Sequence, residues 1–89
     1  MPTVLIPTAY RGPTAGIAEV EVDPGSARAC LKAVDAKHPG FGDLIFDKQG
    51  GLHRFVKLFI NEVQLEADPL DENVGEGDRL EVLAAIAGG

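Results

Sequence analysis

Only one stretch of the 89-residue chain carries the apolar period of a helix, and stretches that alternate like strands lie on both sides of it. Between Asp23 and Gly40 the sequence reads DPGSARACLKAVDAKHPG. Ala27, Cys30, Leu31 and Val34 fall at i, i+3, i+4 and i+7, which is one face of a helix. Arg28, Lys32 and Asp35 fall elsewhere on its surface. Ser26 follows the Pro24-Gly25 break and suits the N-cap, where a hydroxyl accepts from a backbone N–H that the helix leaves unpaired. His38-Pro39-Gly40 is a stop signal, with an imidazole at the negative end of the helix dipole.

Ahead of the helix, TVLIP (3–7) is a short β-branched run bounded by prolines. IAEVEV (17–22) alternates strictly, with Ala18, Val20 and Val22 between Ile17, Glu19 and Glu21. Gly12, Pro13 and Gly16 supply turn chemistry between the two, so an N-terminal hairpin with a long loop is expected. After the helix, FGDLIFDKQGG (41–51) reads as a compact loop or a single helical turn. LHRFVKLFIN (52–61) is the longest strand candidate, and Asn61-Glu62 turns it into VQLEA (63–67). DPLDENVGEGD (68–78) is a connection rich in Asp, Pro and Gly, and RLEVLAAIA (79–87) is the last strand. Two strands, one helix and then further strands predict an α+β fold. It is a mixed sheet of four to five strands with one main helix on one face, the β-grasp or ubiquitin-like arrangement. A chain of this length is expected to form one domain, residues 1–89, with a flexible C-terminal tail over about 85–89.

Charge removes several function classes. Eight Lys and Arg stand against 14 Asp and Glu, a net charge of −6, which repels phosphate backbones and argues against nucleic-acid binding. Eight of the acids lie between Glu62 and Glu81, as a solvated surface or as a face that steers a basic partner. The apolar runs are far short of the roughly 20 residues that span a bilayer. MPTVLIP lacks the basic region of a secretory signal, so a cytoplasmic protein with no membrane partner is expected. The one cysteine, Cys30, forms neither an internal disulfide nor a thiolate metal site, and its place on the apolar helix face marks it as core. His38 and His53 are far apart in sequence, and no metal site is expected. His53 and Arg54 are adjacent, and strand neighbours point to opposite faces, so each suits partner contact or simple solvation better than catalysis.

The sequence ends LAAIAGG, two glycines directly after an apolar strand. In this setting the final segment GEGDRLEVLAAIAGG resembles the closing segment of the ubiquitin-like sulfur-carrier proteins, the family of the thiamin and molybdopterin sulfur carriers. The matching positions are Gly77-Asp78, then Leu80, Val82 and Ala84, then Gly88-Gly89. LIPTAYRGPTAG (5–16) and LHRFVKLFIN (52–61) look most similar to the branch that carries sulfur for cysteine biosynthesis.

The resemblance implies a protein co-substrate rather than an enzyme. An ATP-dependent adenylating enzyme activates the Gly89 carboxylate. A sulfur donor then displaces AMP and leaves a thiocarboxylate. In the cysteine branch a synthase that carries pyridoxal phosphate accepts the sulfur, and a zinc protease of the JAMM type releases the product. The cofactors thus belong to the partners, none is expected on this chain, and a free monomer is expected. Gly88 and Gly89 lack a Cβ and fit a narrow channel. The five residues Ala85 to Gly89 reach on the order of 17 Å when extended, enough to enter a partner's site. A thiamin carrier, a molybdopterin synthase small subunit and a ubiquitin-like protein modifier remain as alternatives.

Alternation also suggests where a partner docks. Val56, Leu58 and Ile60 are expected under the helix, with Phe55 and Phe59 on the opposite face. Leu80, Val82 and Ala84 are expected inward, with Arg79, Glu81 and Leu83 outward. Leu5 faces outward between Val4 and Ile6. Leu5, Phe55, Phe59 and Leu83 are therefore expected to form an apolar patch on the open face of the sheet, continued by Ala85, Ile86 and Ala87.

Overall fold

The computed structural model describes residues 1–84. β1 (Thr3–Leu5) and β2 (Glu19–Glu21) form the antiparallel hairpin, with Val4 opposite Val20. Thr14 is buried in the loop between them, and its hydroxyl donates to Ile17 O at 2.9 Å, so the loop is internally satisfied. Helix α1 (Ala27–Lys37) starts where its cap demands: Ser26 Oγ accepts from Ala29 N at 3.1 Å. It ends with His38 N donating to Val34 O at 2.8 Å. Ala27, Cys30, Leu31 and Val34 are all fully buried. The Cys30 thiol lies 3.6 Å from Asp23 O, and burial pushes its pKa up, away from the reactive thiolate.

Of the two alternatives for residues 41–51, the helical turn is the one found. The stretch opens with a second short helix, α2 (Phe41–Ile45), whose Phe41 and Ile45 are completely buried. Gly40, at φ 105°, makes the reversal between the helices, a backbone geometry that a side chain resists. Phe41 is then delivered onto the same core as α1.

β4 (Val56–Ile60) is shorter than the candidate run of 52–61. Val56 N donates to His53 O at 2.9 Å, which closes a turn over His53–Phe55. Leu52 pairs only with Phe46, as an isolated bridge. Asn61 and Glu62, at φ 48° and 73°, reverse the chain into β5 (Val63–Gln64). The Asp-rich connection holds structure of its own. Asn73–Val74 (β6) pairs antiparallel with Gly25–Ser26 (β3), a two-stranded ladder that the alternation gave no sign of. Leu70 and Val74 carry this connection into the core.

The main sheet closes with β7 (Arg79–Ala84) in the order β2-β1-β7-β4-β5. β7 lies at its centre, parallel to β1 and antiparallel to β4. Both helices cover one face. Val4, Ile6, Val20, Val22, Val56, Leu58, Leu80 and Val82 supply the sheet's side of the core. The expected mixed β-grasp sheet with one main helix is therefore present.

Candidate functional site

β7 leads directly into the terminal segment, so its anchoring sets where that segment begins. It is held at its start by a side-chain clamp. Asn61 Oδ1 accepts from Arg79 N at 3.0 Å, and Asn61 Nδ2 donates to Asp78 Oδ1 at 2.9 Å. Asp78 Oδ2 accepts from Gly75 N at 2.9 Å, which closes the turn ahead of the strand. These bonds to its charged form hold the Asp78 carboxyl below the usual carboxylate range, the backbone bond from Gly75 first and the Asn61 amide second. At the far end Leu83 lies opposite Lys57, and Ala84 opposite Val56. The terminal segment therefore starts at the edge of the His53–Phe55 turn. Gly88 and Gly89, with Ala85, Ile86 and Ala87, lie outside the described residues.

The register assembles the open face in rows. Because β1 and β7 are parallel, Leu5 falls beside Glu81, and Glu81 in turn lies opposite Phe59. One row thus crosses all five strands as Glu19, Leu5, Glu81, Phe59 and Gln64. With strands about 4.8 Å apart, Leu5 and Phe59 stand roughly 10 Å from each other across Glu81. Leu83 occupies the next row toward the terminal segment, diagonal to both, and is 41% exposed. Leu5 and Phe59 are half-buried. Leu5, Phe59 and Leu83 therefore surround a carboxylate. A groove runs beside β7 on the β1 side, lined by Leu5, Pro7, Arg11, Glu81 and Leu83 among others.

Phe55 is placed differently. It belongs to the turn ahead of β4, and its ring lies 5.1 Å from the His53 imidazole, centroid to centroid. The Arg54 guanidinium lies over the same ring at 4.8 Å. The rule that adjacent strand residues face apart does not apply to His53 and Arg54, because these residues form a turn and both gather on Phe55. The sequence signal for this was Val56, the first residue of the run to repeat at period two into the core.

The arrangement offers a mixed apolar and charged contact surface. Cys30 is sealed in the core, and the described residues bring no three His, Cys, Asp or Glu side chains together as a metal site requires. Among the described residues, no helix is long and apolar enough to cross a membrane.

Comparison with known proteins agrees with this geometry. No curated protein matches the sequence. A chain in the crystal structure of the Amycolatopsis orientalis BexX/CysO complex is 31% identical, superimposes with a TM-score of 0.89, and each chain covers 100% of the other. The crystal structure of Mycobacterium tuberculosis CysO, an antigen, is 28% identical with a TM-score of 0.87, over 97% of this chain and 100% of that one. The solution structure of small archaeal modifier protein 1 from Methanosarcina acetivorans shares the fold at 20% identity and a TM-score of 0.84, over 99% of this chain and 95% of that one. The ThiS family model matches residues 4–89, and the chain belongs to the ThiS family.

Proposed function

We propose that this protein is a sulfur carrier whose Gly89 carboxylate becomes a thiocarboxylate, with cysteine as the product of the pathway it serves. The observation that carries the reading is the full-length likeness to the two CysO chains, joined to a ThiS match that runs through Gly88-Gly89. The chemistry is a two-step activation. The carboxylate attacks the α-phosphorus of ATP in a partner's site, forming the acyl-adenylate and releasing pyrophosphate. A sulfur nucleophile then adds to the acyl carbon and expels AMP, leaving sulfur where an oxygen had been. The glycines serve access, since a terminus without Cβ atoms passes a narrow channel.

This chain's described residues supply placement. β7 is held on both sides at the centre of the sheet, and Leu5, Phe59 and Leu83 offer the docking surface beside its exit. Phe55, with His53 and Arg54, forms the rim of that surface, and Ala85, Ile86 and Ala87 connect it to the reacting end. The partners under this reading are an ATP-dependent adenylating enzyme, a synthase that carries pyridoxal phosphate, and a zinc protease. Those cofactors reside on the partners.

Intact mass after incubation with the adenylating enzyme, ATP and sulfide tests the proposal. A gain equal to sulfur replacing oxygen, absent when Gly89 is removed, is the expected result. An unchanged mass with an enzyme that forms acyl-adenylate on its own carrier would overturn it. Isopeptide-linked conjugates in lysate, without the thiocarboxylate, would mark a protein modifier instead.

A further inference from the structure

The cations of this acidic chain are unevenly committed. Among the described residues, Arg79 pairs with Glu19 at 3.4 Å. Arg11, Arg28 and Lys37 each donate to a backbone carbonyl of their own chain, those of Ile6, Gly50 and Glu21. The head groups of Lys32, Lys48, Arg54 and Lys57 have no hydrogen bond or ion pair with the described chain. Two of these four, Arg54 and Lys57, lie on either side of Val56, the residue opposite Ala84, the last residue described before the terminal segment. Both are exposed. Lys57 is on the open face directly opposite Leu83, so it continues the apolar patch. Arg54 is held over the Phe55 ring, which fixes its stem and leaves the guanidinium edge for a planar acceptor. Glu81 stands diagonal to Lys57 and forms no ion pair with it, and Glu66, Asp68 and Asp71 line the same cavity as Arg28, Arg54 and Lys57.

We propose that Arg54 and Lys57 form a cationic collar at the exit of the terminal segment, and that it pairs with carboxylates around the tail-entry channel of the adenylating partner. The inference rests on the sulfur-carrier reading and adds the chemistry of the surface the carrier meets. Two strongly solvated like charges are disfavoured at a docking edge unless opposite charges face them.

The test is ATP–pyrophosphate exchange catalysed by the adenylating enzyme encoded in the same genome, with the full chain as substrate at several salt concentrations. Arg54→Glu/Lys57→Glu is expected to raise KM on the order of tenfold or more and to leave kcat within about twofold, because rim charges act mainly on encounter. The neutral pair Arg54→Gln/Lys57→Gln is expected to raise KM less and to flatten its dependence on salt. A thermal melt of each variant matching the parent excludes unfolding. Unchanged KM and salt dependence in folded variants would overturn the collar while the carrier reading stood. No exchange with the parent chain, from an enzyme that adenylates another carrier, would overturn the carrier reading and the collar together.

Discussion

The two faces of the central sheet are built from the same strands and obey opposite rules. Toward the helices, β4 presents Val56 and Leu58 and β7 presents Leu80 and Val82, all buried to 2% exposure or less. On the other face the same strands present Lys57 and Phe59, and Glu81 and Leu83. The covered face is uniform, because any polar atom there needs a partner that two helices do not supply. The open face mixes apolar, acidic and basic side chains in adjacent positions. A surface of that composition is soluble when alone and becomes specific when a partner matches its pattern. Under the proposed function, stability and recognition are thus separated by the pleat, one residue apart along each strand.

The sharpest way to break this comparison is to truncate one phenylalanine on each side of it. Phe41 is fully buried in the core, and Phe41→Ala is expected to cost about 3–5 kcal/mol, a large share of the roughly 5–15 kcal/mol available to a small domain. Phe59→Ala, on the open face, is expected to cost about 1 kcal/mol or less. Urea unfolding of both variants measures the difference. Equal losses would mean that the open face is structural and that its apolar residues say nothing about docking.

Much of this division was legible from the sequence. The helix face of Ala27, Cys30, Leu31 and Val34 and the cap at Ser26 follow from local rules, and both are found as expected. The alternation of β4 and β7 assigned inward and outward residues correctly over 56–60 and 79–84. Register was not legible, because it depends on pairing between β1 and β7, more than 70 residues apart, which carries no local signal. Alternation therefore marks Glu81 as outward but carries no sign that it stands between Leu5, Phe59 and Leu83. LHRFV is apolar and basic in a strand-like way, which places Phe55 in the strand by sequence, and the turn at His53–Phe55 overrides it. The β3–β6 ladder is two residues long on each side, too short for any period to show.

A smaller effect sharpens the account of how β4 turns into β5. Glu62 sits at φ 73°, where an L residue with a Cβ is strained and glycine is not. Glu62→Gly is expected to raise stability by about 0.5–1 kcal/mol, the strain relieved less the extra freedom glycine gives the unfolded chain. Chemical denaturation of the variant gives the sign. A loss instead would show that the Glu62 side chain holds the turn by a contact that outweighs its backbone strain.

The smallest effect is a pH dependence at the start of β7. Asp78 accepts from Gly75 N and Asn61 Nδ2, and both bonds favour its charged form, so its folded pKa lies below its unfolded one. A carboxyl shifted downward on folding contributes stability that is fully present above the unfolded pKa, near 3.8, and is lost as pH falls through the folded value. Asp78→Asn removes that contribution at every pH. The melting temperatures of parent and variant are therefore expected to differ most above about pH 5 and to converge as the carboxyl protonates. Asp78 is only half-buried, so the gap is expected to be modest and to narrow in high salt. A gap that stayed constant from neutral pH to pH 3 would mean that Asp78 works through shape alone. The clamp on β7 would then be the Asn61 amide bonding Arg79, with the charge at Asp78 incidental to where the terminal segment begins.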